Sequence, residues 1–193
     1  MPNGDAVKTL KPNDSLPVGP LPLPDKSDPH HALWLLLETV CDPEIPVVSL
    51  REMGVLRAIC EGEEGLEVVI TPTYSGCPAM SQIHDDLVLL LQSTGLQASV
   101  LTKLSPAWSS DWITTEAKLK LKSYGIAPPH ACLQESNSVI HVQPRGRQAN
   151  NNVACPLCLS VNTTQTSYFG STACKAMYRC LNCLEPFDYF KPY

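Results

Sequence analysis

VLRAICEGEEGLEVVIT, residues 55–71, decides the fold class. Two β-branched, roughly alternating runs, VLRAIC (55–60) and LEVVIT (66–71), flank a GEEG turn that holds Gly62 and Gly65. This pattern predicts two strands joined as a hairpin, with Leu66, Val68 and Ile70 on one face. Upstream, Leu33, Leu36, Leu37 and Val40 recur at helical spacing and predict a helix from about His31 to Cys41. Pro43 and Pro46 stop its continuation, which makes DPEIP (42–46) an ordered loop or turn.

Downstream, a second helix opens after TYSGCPAM (73–80). Ile83, Leu87, Leu90 and Leu91 line one side of it, Ser81, Gln82, Asp85 and Asp86 the other, and Gly95 closes it. QASVLTKL (97–104) reads as a third strand. A last helix is predicted over Asp111–Tyr124, with Asp111 as N-cap, Gly125 as C-cap and Ile113, Ala117, Leu121 and Tyr124 as its buried stripe. Pro128 and Pro129 end that unit. The class is therefore α+β: a small α/β sandwich short of three full layers, in the order helix, β-hairpin, helix, strand, helix.

The 193 residues leave room for this domain and a small satellite. Residues 1–29 hold seven of the 18 prolines and no apolar signal-peptide core, so 1–30 reads as a disordered, proline-rich leader. The first domain spans 31–129. Residues 130–152, rich in Asn, Gln and Ser, read as a linker with a short strand at VIHV (139–142), and 153–193 forms a second unit. A net charge of −5 counts against a broad nucleic-acid-binding surface. The apolar run ALWLLL (32–37) is far too short to span a bilayer. Nine cysteines without a secretion signal point to a reducing cytoplasm, where thiols serve metal binding or reactivity.

Four of those cysteines form CPLC (155–158) and CLNC (180–183), separated by 21 residues. Each pair puts two thiolates on one tight turn, and a hairpin brings the pairs together. Four thiolates suit tetrahedral Zn²⁺, and so small a unit needs such a staple to fold. A closed Cys₄ site leaves no position for a substrate, so the metal is expected to be structural. Iron or an iron–sulfur cluster uses the same ligands, and spacing does not separate the two. Cys174 is a fifth cysteine in this unit, either a buried small residue or an extra ligand. Tyr168, Phe169, Tyr178, Phe187, Tyr189 and Phe190 are expected to build the core of the unit rather than to bind nucleic acid.

Cys77 stands apart from these pairs. Pro78 fits the first position of a helix, which puts Cys77 at the N-cap, where free N–H groups and the helix dipole favour a thiolate. Cysteine is also among the most frequently buried residues, so the position alone leaves packing and reactivity both open. Asp42 and Glu44 in the DPEIP loop, with Thr71 and Thr73 at the end of the second strand, converge on Cys77 if the loops open on one end of the sheet. The plainer alternative has the two carboxylates capping backbone amides. No Glu-x-x-His pair, GxGxxG or Walker-type loop occurs, and no residue is assigned a catalytic role.

DPEIP followed by REMGVL (51–56), then T-x-x-x-CP at Thr73–Pro78 and GIAPP at 125–129, resembles the small domain family associated with iron–sulfur cluster assembly. Its motifs span about residues 31–129. The tail FGSTACKAMYRCLNCLEPFDYFK (169–191) is similar to that of the D (or J) components of the phenylacetyl-CoA epoxidase system. The resemblance implies a non-catalytic accessory or maturation factor in aerobic phenylacetate degradation, aiding iron or iron–sulfur assembly. Its partners would be the di-iron oxygenase or iron–sulfur reductase component, with neither nucleic acid nor membrane. It implies Cys77 as the iron-handling cysteine beside Asp42 and Glu44, and structural zinc on Cys155, Cys158, Cys180 and Cys183. The alternatives are a purely structural member of the oxygenase complex and a thiol enzyme using Cys77.

Overall fold

The computed structural model describes residues 15–130 and 153–193. They fall into two compact units, one ending at Tyr124 and taking in Tyr193, the other Gly125–Pro192. The predicted linker and its VIHV strand, and the first part of the leader, lie largely outside the described residues.

The first unit opens with α1 (His31–Leu37), then β1 (Cys41–Asp42), β2 (Ile45–Ser49), β3 (Leu56–Gly62) and β4 (Gly65–Ile70). α2 (Ala79–Thr94), β5 (Ala98–Thr102) and α3 (Thr115–Ser123) complete it. α1 is shorter than its apolar spacing suggests, because Cys41 and Asp42 leave it to pair with β2. β3 and β4 form the predicted antiparallel hairpin, from Leu56↔Ile70 to Gly62↔Gly65, with a bulge between Leu56 and Ala58. Gly65, at φ +128, makes the turn in a conformation that favours glycine. β5 joins β4 in parallel, Leu66↔Ala98 to Ile70↔Thr102. The segment β4–α2–β5 is therefore a βαβ crossover.

The alternation in the hairpin predicts one buried face, yet β3 is buried at every residue from Leu56 to Cys60. The reason is the leader. Its described part, residues 15–30, is an ordered strap rather than the disordered segment expected. Leu16 is buried in a cluster with Ala58, Cys60 and Val69, which covers that side of the sheet. Arg57 donates to the carbonyls of Pro17 and Gly19, and Arg51 to that of Leu21.

Ile83, Leu87 and Leu91 of α2 are buried as predicted, and Gly95 closes the helix in the left-handed region. The last helix starts later than Asp111. Ser110–Trp112 forms a 3₁₀ turn, Ile113 is extended, and Thr114 is the N-cap, its Oγ1 accepting from Ala117 N at 3.1 Å. Ala117 and Leu121 are buried, whereas Tyr124 is half exposed. Two ion pairs tie the turns together: Arg51–Glu38 at 2.6 Å and Lys120–Glu52 at 2.7 Å. Gly54 at φ +75 lies so close to Trp112 that a Cβ there would meet the Trp112 Cβ at 2.8 Å.

The second unit is one sheet in the order β6-β9-β8-β7, from β6 (Ile126–Ala127), β7 (Thr163–Ser167), β8 (Lys175–Cys180) and β9 (Pro186–Phe190). β6 comes from GIAPP, which the sequence pattern assigns to the end of the first domain, and it pairs with β9 in parallel. Tyr178, Phe187, Tyr189 and Phe190 are buried in this unit as expected. Tyr168 and Phe169 are not core: they stand exposed, with Lys191 Nζ 4.2 and 4.7 Å from their ring centroids.

Candidate metal centre and the loop cysteine

CPLCLS and CLNCLE fold into two turns of the same form. Cys155 N–H donates to Ser160 O at 2.9 Å and Cys180 N–H to Glu185 O at 3.0 Å, each closing a loop five residues on. The residue after each second cysteine, Leu159 or Leu184, takes φ +64 or +67. That left-handed step turns the chain so that both thiols of a pair face inward. The N–H groups of Asn182 and Cys183 both point at Cys180 Sγ, at 3.4 Å. Such bonds favour a thiolate, and they hold the Cys180 thiol well below its ordinary pKa. Cys183 is pushed the other way: its backbone bond from Glu185 favours the anion, but burial and the three other sulfurs outweigh it. Four thiolates could share so small a volume only around a cation.

The four Sγ atoms lie within 4.8 Å of one another. Cys155–Cys183 are 3.8 Å apart and Cys158–Cys180 3.5 Å. A tetrahedron with Zn–S bonds of about 2.3 Å has edges of about 3.8 Å, so the residues fit one ion. A polynuclear cluster would place sulfide between the metals and spread the thiolates further. Zinc held here would cross-link the two turns, and all four of its positions would be taken by protein. Cys174 is not a member of the group; its Sγ lies 3.0 Å from Thr172 Oγ1. Among the described residues no other set of three or more Cys, His, Asp or Glu is placed to hold a metal.

Cys77 lies in the loop that leads from the carboxyl end of β4 into α2, two residues before that helix; α/β sheets commonly place their sites in such loops. α2 proper starts at Ala79, one residue later than predicted. Pro78 occupies the cap position with helical angles (φ −68, ψ −23), and Cys77 O accepts from Met80 N at 3.3 Å. Cys77 is half-buried. Asp42 Oδ1 accepts from Glu44 N at 2.8 Å and Ile45 N at 3.1 Å, so it performs the capping role. Glu44 is exposed, and Asp42, Glu44 and Cys77 do not assemble into a three-ligand group.

Thr71 is buried, its N–H on Val55 O at 2.8 Å and its Oγ1 without a partner among the described residues. Thr73 lines a cavity of about 400 Å³ with Pro72, Tyr74, Leu104, Ala107 and Trp108. Tyr74 links that wall to the cysteine, because its carbonyl accepts Cys77 N–H at 3.1 Å. The sequence reading missed this aromatic wall. Trp108, the last residue of the proline-broken segment LSPAW (104–108), was the available signal.

Across 164 residues the chain is 43% identical to the Escherichia coli (strain K12) protein assigned as the D component of 1,2-phenylacetyl-CoA epoxidase, covering 83% of this chain and 92% of that one. This chain belongs to the epoxidase D-component family. Residues 140–191 match the PaaD zinc beta ribbon domain, which makes the four-thiolate group the structural zinc centre of a ribbon. Residues 31–100 match the family described as iron-sulfur cluster assembly protein. This half of the D-component chain is also 34% identical, over 89 residues, to an Fe-S protein maturation auxiliary factor of Porphyromonas gingivalis (strain ATCC BAA-308 / W83). That match covers 45% of this chain and 84% of the relative. A crystal structure of a domain of unknown function, DUF59, from Bacillus anthracis is 27% identical over 48% of this chain and 90% of that one, with a TM-score of 0.43. No helix among the described residues of this D-component family member is long and apolar enough to cross a membrane.

Proposed function

We propose that this protein is an accessory maturation factor of a phenylacetyl-CoA epoxidase system, acting on the iron or iron–sulfur centre of a partner component rather than on the substrate. The observation that carries this reading is the joining, in one chain of the D-component family, of an iron–sulfur assembly match to a closed four-thiolate ribbon. The ribbon stiffens or recruits; Cys77 handles iron. A lone half-buried thiol on a strand-end loop suits transfer better than storage, because the missing ligands can come from the client. Asp42 shapes the neighbouring turn, while Glu44, being exposed, is available to the incoming metal or client.

The client is the di-iron oxygenase or the iron–sulfur reductase component. Cys77→Ser should leave a folded, zinc-loaded protein while the co-produced epoxidase system is short of iron or cluster. Normal metal content of both components in that strain would remove Cys77 from the mechanism. A fixed-ratio complex, inactivated when this chain is stripped from fully metallated oxygenase, would replace the maturation reading with a purely structural one.

A further inference from the structure

The strap of residues 15–24 contacts the first unit as a ligand contacts a groove. SLPVGPLPLP contains four prolines, which offer no N–H, and it joins no sheet ladder. Its carbonyls are read instead: Pro17 and Gly19 by Arg57, Leu21 by Arg51 at 2.7 Å, and Pro24 by His31 Nδ1 at 2.9 Å. Leu16, Leu21 and Pro24 are buried, while Val18, at 76% exposure, faces solvent. Side-chain donors meeting an extended, proline-rich backbone, with apolar sockets between them, is the chemistry of proline-rich peptide recognition.

The groove is not filled to its chemical capacity. Arg57 is 1% exposed, and its guanidinium stacks over the Trp112 ring at 4.0 Å. Only Nη2 is bonded; Nε and Nη1 have no partner among the described residues, and no carboxylate there pairs with it. Burial holds its pKa down to about 10. Two carbonyl oxygens are a weak answer to a buried guanidinium that can bind a carboxylate in bidentate fashion.

We infer that this cleft is a peptide-binding groove, occupied in cis by the strap and taken over by an extended, leucine-bearing acidic segment of a partner protein. Such a segment would place its leucines where Leu16 and Leu21 sit and a carboxylate on Arg57. The strap is then a built-in competitor that keeps the sheet face covered until the partner arrives. This inference does not depend on the maturation reading.

The test uses the full chain with a protease site inserted in the exposed turn at 25–27, cut after folding, so that the strap can leave without a folding defect. The probes are labelled peptide SLPVGPLPLP and the same peptide carrying Pro17→Glu. The nicked chain should bind the parent peptide at least tenfold more tightly than the uncut chain does. The Pro17→Glu peptide should bind at least tenfold more tightly again, and Arg57→Leu should abolish that preference. No binding to the nicked chain, or a Pro17→Glu peptide no tighter than its parent, overturns the proposal. Strap-dependent dimerisation of the uncut chain, lost with Leu16→Asp and Leu21→Asp, would assign the groove to a second copy and equally overturn it.

Discussion

The β3–β4–β5 sheet and the ribbon sheet hold their thiols in opposite ways. The first unit carries Cys77 in the loop between β4 and α2, outside any metal-holding group among the described residues, while hydrocarbon such as Leu37, Leu87 and Leu121 is fully buried in the same unit. The second gathers four sulfurs within 4.8 Å and has a much smaller apolar cluster, built on Val153, Ala176, Tyr178, Phe187 and Tyr189. Chemistry that looks abundant in the ribbon is thus committed to holding the chain together. Chemistry that looks sparse in the first unit is, on the function proposed above, left open to a partner.

The sharpest way to break this contrast is to remove metal. Chelation should unfold the ribbon and leave the first unit folded, since zinc binding supplies about 10–16 kcal/mol in comparable small units. Heteronuclear spectra should lose the resonances of Tyr178 and Phe187 and keep those of Leu87. Loss of both sets together would mean that the units are not separately stabilised.

Leu87→Ala is the converse experiment. It opens a cavity at a fully buried position and should cost about 2–5 kcal/mol in denaturant unfolding of the first unit, with zinc content unchanged.

Acid should act on the first unit through Glu52. Burial raises its pKa, but the Lys120 ammonium and the Ser49 N–H outweigh this, and the net position is below the ordinary value of 4.5. A folded-state pKa below the unfolded one gives stability that is present above about pH 4.5 and is lost as pH falls through the lowered value. Glu52→Gln should flatten that part of the stability–pH curve. The smallest effect belongs to Cys77→Ser, which should shift unfolding by no more than about 0.5 kcal/mol, because the side chain is half-buried and replaced by one of similar size.

Local pattern made much of this legible. The hairpin around GEEG, the Ile83–Leu87–Leu91 stripe and both CxxC turns follow from spacing that the backbone period enforces. What escaped depends on long-range partners. A strand such as β3 reads as half-buried until Leu16, some 40 residues away in sequence, covers its second face. Proline-rich composition signals an unfolded leader unless side chains elsewhere bind its carbonyls, and Arg57 inside an apolar strand was the one hint that they do. β6 is only two residues long, too short for any periodicity to assign it to a sheet. For the site, the thiolate group was readable because its ligands lie in two short motifs, whereas Tyr74 and Trp108 meet only through the fold.

On the function proposed above, the ribbon holds zinc for structure while Cys77 handles iron for delivery. Metal and sulfide analysis of anaerobically purified protein, wild type beside Cys77→Ser, tests it most directly. Both proteins should carry one zinc per chain, and iron, with or without sulfide, should appear in the wild type alone. Equal iron in the two, or zinc lost with the Cys77 thiol, would contradict it.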